Sequence, residues 1–144
     1  MATSRPAERE DLDALLDSLL RFAQETLRKY GEFYPFGNTM RNDGIIEMNA
    51  ATTGSDRPAS QELIELLISG MREKAAAREI RAAGLAYDVR VTGKDGKPTD
   101  AIAVALEHVA GDAAVVLMPY SKGRLSGLRF GDLSARPGER RVFS

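Results

Sequence analysis

The chain contains no cysteine and a single histidine. The first absence removes disulfides, thiolate nucleophiles and cysteine-ligated zinc or iron–sulfur sites together. The second leaves His108 alone, so neither a two-histidine metal set nor a helix-borne HExxH arrangement can form. Glycine-rich phosphate loops (GxxxxGK[ST], GxGxxG) and the GxSxG nucleophile context are missing as well. No metal site and no cofactor are expected, and an enzyme is the less favoured reading. No stretch approaches the roughly 18 apolar residues that a spanning helix needs, and the N-terminus turns acidic by Glu8 without an apolar leader. A cytoplasmic protein that does not engage membranes is therefore expected. With 20 basic against 21 acidic residues the formal charge is -1, which offers no bulk attraction to nucleic acid.

What the sequence does hold is periodicity. Over residues 8–30, Leu12, Leu15, Leu19, Ala23 and Leu27 recur at three- and four-residue steps, which predicts an amphipathic helix closed by Gly31. Acids gather in its first turns and Arg28 and Lys29 in its last, the charge order that suits a helix dipole on a solvated face. Asn42-Asp43-Gly44 between two β-like runs reads as a hairpin. The polar stretch 50–58 leads to a second helix from Ser60 to about Ala83, with Leu63, Leu66, Leu67 and Met71 on its core side and Gly84 as its stop. From Leu85 the period switches to two, and three strands follow: Leu85–Val91, "DAIAVALEHV" (100–109) and "AAVVLMPY" (113–120). In the middle one, Ile102, Val104 and Leu106 face one way and Ala101, Ala103 and Ala105 the other. Either the alanine face is the helix-covered one or both faces are buried. A short strand at Leu128–Phe130 precedes an irregular end.

This order, αββαβββ, predicts an α+β fold of two layers: one antiparallel sheet of about five strands, a hairpin plus a three-stranded meander, packed against two amphipathic helices. Residues 1–133 form the single domain and 134–144 an irregular basic C-terminal tail. The element order resembles the profilin-like or roadblock type of sandwich, a likeness of topology that carries no function. The succession "KYGEFYPFG", "SQELIELLISGMREKAAAREIRAAGLAYDVRV", "DAIAVALEH" and "MPY" resembles a set of small uncharacterised bacterial proteins with no assigned activity. That likeness spans roughly residues 28–143 and implies a single-domain bacterial protein, without transferring any functional residue.

Candidate functional residues come from the aromatic run "YGEFYPFG" (30–37). Pro35 fits an edge strand or bulge, and the rings on both faces of the strand entrance either plug the helix–sheet seam, the favoured reading, or leave Tyr34 and Phe36 as lip residues of an interface or ligand cleft. Tyr120, at the end of the last meander strand, and Arg124 beyond it would complete such a cleft. His108, beside a predicted turn, reads as a sheet-edge hydrogen-bonding residue. The functional expectation is a non-enzymatic protein-interaction module, immunity-protein-like in size and mode, whose partner is another protein or, in a homodimer, a second copy. A small-molecule binder or an unrecognised enzyme using the aromatic cleft is the alternative.

Overall fold

The computed structural model describes residues 6–123 and 127–143. Its elements are α1 (Pro6–Tyr30), β1 (Phe36–Arg41), β2 (Ile46–Asn49), α2 (Ser60–Ala76), β3 (Ile80–Thr92), β4 (Pro98–His108), β5 (Ala113–Gly123), β6 (Gly127–Phe130) and β7 (Ser134–Pro137). All strand pairs are antiparallel and belong to one sheet of order β2-β1-β3-β4-β5-β6, with β7 also on β5. The α+β class and the single antiparallel sheet are those expected. The strand count is not, because seven strands replace five. β6 and β7 share the free edge of β5: Tyr120 faces Phe130 and Leu117 faces Ser134. Three steps along β5 thus match four along its neighbour, and the surplus residue is taken up as a bulge that bends one broken edge strand.

The layering also differs from the two-layer expectation. α1 packs on the face carrying Ala82, Ala86, Ile102, Val104 and Leu106, where Leu15, Leu19 and Leu27 are fully enclosed. α2 packs on the opposite face, with Ile64, Leu67 and Ile68 on Leu85 and Met71 on Ala83 and Ile80. The reason lies in β3 and β4, which are apolar on both faces; each face attracts a helix, and the sheet becomes the middle layer.

Two glycine assignments show how local chemistry sets the boundaries. Gly31 ends α1 as expected, at φ 76° with its N–H donating to the Leu27 carbonyl at 2.8 Å. Gly84, expected to stop α2, instead lies within β3. The helix stops earlier: Arg78 adopts the left-handed conformation at φ 57°, its N–H donates to Ala75 O, and Glu79 N–H donates to Lys74 O, both at 3.0 Å. This is a Schellman ending with arginine in the position that glycine usually takes. Gly84 is small for another reason, since a Cβ there would stand 2.5 Å from Leu19 Cδ1. Leu66, expected on the core side of α2, is 47% exposed.

Candidate functional site

Of the residues singled out for an aromatic cleft, Tyr34, Phe36 and Tyr120 are described, and strand order sets Tyr120 two strands away from Phe36. Tyr34 stands on the surface, 43% exposed. Phe36 is buried and meets Phe22 and Phe33 edge-on, with centroids 4.8 and 6.0 Å away. Tyr120 is buried too, beside Phe130, and β3 and β4 separate its strand from that of Phe36. Arg124 lies outside the described residues. The Tyr120 hydroxyl donates to Asp88 Oδ1 at 2.8 Å. Burial, followed by this bond and the Asp88 charge, pushes the phenol well above its usual range. Desolvation likewise raises the Asp88 carboxyl, against the Tyr120 hydrogen bond. The pair ties β3 to β5 across β4.

The titratable groups at the other end of the sheet are engaged in holding the chain together. A bulge opposite Met40 and Arg41 inserts Arg81 into β3 and turns its guanidinium toward α1. There Nε and Nη2 grip both oxygens of Asp11 at 3.0 and 2.9 Å. Asp11 also lies 2.9 Å from His108 Nε2, while His108 Nδ1 accepts the Ala110 N–H at 3.1 Å, so the ring proton sits on Nε2 and is donated to Asp11. Burial alone would raise the Asp11 carboxyl; the bonds from His108 and Arg81 outweigh it and hold the group below its ordinary value. His108 thus has the strand-end hydrogen-bonding role that its position indicates. Glu8 and Asp11, which the sequence assigns to a solvated helix start, are drawn in by this contact.

One residue earlier, Glu107 points to the α2 side and does the same for the C-terminus. Its Oε1 accepts the N–H groups of Arg141 and Val142 at 2.8 and 3.0 Å, and of Phe143 at 3.4 Å. Gly138–Phe143 form a strap across this end of the sheet, with Val142 buried against Met71, Ile80 and Ala83 and with Arg140 donating to the His108 carbonyl. Ser134–Pro137, within the stretch read as an irregular tail, pairs with β5 because that strand's edge is otherwise unmatched.

Between α2 and the strap lies a groove of about 270 Å³, floored by Leu85, Ala105 and Val115 and flanked by Glu107, Glu139 and Arg141. It opens onto a larger feature. α2 packs on β1 and β3; on the β4–β5 half of that face Ala101 and Ala103 are enclosed, Ala105 adjoins the α2 cluster, and Val115, Leu117 and Pro119 stand half-buried beside them. A sheet face left to solvent normally carries polar side chains at such positions. Arg129 and Arg136, opposite Ser121 and Val115, border this face and are exposed. Sequence reasoning left these residues out of the candidate site, although the double-sided apolar pattern of "AIAVAL" and "AAVVLMPY" carried the signal. No known family model, no curated protein and no solved structure matches the chain.

Proposed function

We propose that the protein is a non-enzymatic interaction module that binds a protein partner on the α2-side face of β4 and β5. One observation carries this reading: on this side of β5 Val115, Leu117 and Pro119 are apolar and only half-buried, beside the enclosed Ala101 and Ala103 of β4, while α2 packs on β1 and β3. The half-buried Val115, Leu117 and Pro119 form an apolar strip that the apolar side of a partner helix or strand would cover. The basic border of Arg129 and Arg136 favours an acidic one. The groups best able to do chemistry, His108, Asp11 and Glu107, are committed to internal bonds. An inhibitor that works by surface complementarity, in the manner of an immunity protein, is consistent with such a face.

A second reading rests on the groove beside the strap, where two carboxylates and Arg141 flank an apolar floor. Its volume, about 270 Å³, falls just under the roughly 300 Å³ at which ordinary ligand pockets begin. Native mass spectrometry of the protein captured from its own cells separates the two. The interaction reading expects a stoichiometric protein partner on wild type and on Tyr34→Ala, lost on Leu117→Arg. A discrete small-molecule mass in its place, or a partner that Leu117→Arg retains, overturns it.

A further inference from the structure

We infer that β2 is an addition site for an extended, basic peptide, on the sheet edge remote from the β5 strip and independent of it. β2 ends the strand order, with β1, β3 and β4 between it and β5. The hairpin fixes which way its main chain points. Arg41 donates its N–H to the Ile45 carbonyl at 2.8 Å, and the pairing continues unbroken from Met40 with Ile46 to Gly37 with Asn49. Bonded pairs alternate in an antiparallel ladder, so Glu47 and Asn49 spend their main-chain groups on Thr39 and Gly37, while the N–H and C=O of Ile46 and Met48 point outward. No described strand lies beyond them, and after β2 the chain turns to the α2 side, where Ala51 packs against the cluster of Ile64 and Leu67. Such an edge is a template for one more strand. Neither proline nor bulge blocks it, and the strand's one charge, Glu47, points to the other face.

The side chains determine what that strand carries. Ile46 packs on the α1 cluster, and Met48 stands beside Asn38, whose Nδ2 donates to Ser18 Oγ of α1 at 2.6 Å. Between these strand residues and α1 runs a groove of about 420 Å³, with Phe22 39% and Met48 53% exposed in its walls. An added strand turns alternate residues to this side, so two apolar side chains spaced two positions apart would cover Phe22, Ile46 and Met48. Charge supplies the rest. Asp17 and Arg21 of the groove bind each other at 2.8 Å, which leaves Glu25 without an ion-pair partner among the described residues. α1 advances from Ser18 at Asn38 to Phe22 at Phe36, so Glu25 lies toward the Asn49 end of β2. A lysine or arginine of the peptide at that end compensates it. With main-chain bonds to only two residues, the contact belongs to the small, transient class of interfaces.

A displayed library of random dodecapeptides, selected on the full chain, supplies the probe, and amide exchange by NMR reads the edge. Selected sequences should alternate apolar with polar residues and carry lysine or arginine. In the free chain the Ile46 and Met48 amides should exchange faster than those of Glu47 and Asn49, and saturating peptide should slow the first pair about tenfold or more. N-methylation of one alternate set of peptide residues should abolish binding while the other set tolerates it, a pattern that a helical peptide does not give. Met48→Glu and Glu25→Lys should each weaken binding about tenfold, and Leu117→Arg should leave it unchanged. Met48 and Glu25 are exposed, so circular dichroism should show unchanged folding in both variants. A library without a binder, or binders that leave the Ile46 and Met48 amides unprotected, overturns the inference. So does protection that arises without peptide and grows with protein concentration, which assigns the edge to a second copy. Binding lost on Leu117→Arg but indifferent to Met48→Glu belongs to the β5 strip and overturns it as well.

Discussion

Replacing Glu107 by glutamine keeps the side chain's size while removing its charge and one of its two acceptors. Three backbone N–H groups of the strap, those of Arg141, Val142 and Phe143, converge on this carboxylate, and the Val142 N–H lies 3.0 Å from both oxygens. A hydrogen bond to a charged group contributes about 1.5–3 kcal/mol, and the three open together because one short segment carries them. The amide retains a single oxygen but turns an NH2 group toward N–H donors, so the net loss is about 2–3 kcal/mol. That figure converts to about 30- to 150-fold faster amide exchange for Arg141, Val142 and Phe143, measurable by NMR. Amides of β3 and β4 beneath α1 should keep their wild-type rates, because Leu15, Leu19 and Val104 are untouched. A change under about threefold at the strap, or equal acceleration in strap and sheet, would refute the account of Glu107 as the strap's anchor.

Three further outcomes are expected. Asp11→Asn should cost about 1–3 kcal/mol near neutral pH, by urea denaturation, because Arg81 and His108 lose a charged acceptor. The native carboxyl is depressed, so its contribution is complete above the ordinary carboxylate value of about 4 and disappears as pH falls through the lowered folded value. The gap between wild type and variant should accordingly begin to narrow below pH about 4 and close once the pH lies under that lowered folded value, and a gap that does not narrow on acidification would contradict the assignment. Gly84→Ala should cost about 1–3 kcal/mol by overpacking Leu19, and Leu19→Ala about 2–5 kcal/mol; the double variant should cost less than the sum, and strict additivity would deny the contact. Arg78→Gly should stabilise by about 0.5–1 kcal/mol in thermal or urea unfolding, since glycine adopts the left-handed ending of α2 without steric cost; destabilisation would show that the arginine side chain matters more than its backbone.

The helices, the Asn42–Gly44 turn and the three long strands were legible because period and punctuation agree there. α1 begins and ends within two residues of the apolar repeat, and β4 and β5 start within two residues of the expected positions. The end of α2 was not legible, because an arginine occupies the left-handed position and the alanines before it favour helix; the next glycine, Gly84, answers to Leu19 on a distant helix. Nor could alternation tell one helix-covered face from two, since that depends on where a helix 40 residues away settles, information absent from the strand itself. The placement of the cleft residues was beyond reach for the same reason: Phe36 and Tyr120 were joined by composition, whereas strand order puts β3 and β4 between them. The open face was visible as excess hydrophobicity in β5 but acquires meaning only once α2 is seen to stop short of it.

Glu107 and His108 are consecutive, point to opposite sides of the sheet, and hold opposite ends of the described chain: His108 grips the first turns of α1 through Asp11, and Glu107 grips the strap. Under tension applied between those ends, force would run from Asp11 through His108, across one peptide unit, and out through Glu107. The broad hydrogen-bonded ladders of β3, β4 and β5 lie off that line. A stretched molecule should therefore yield first by peeling at this clasp, at low force and in small steps, while its sheet remains closed.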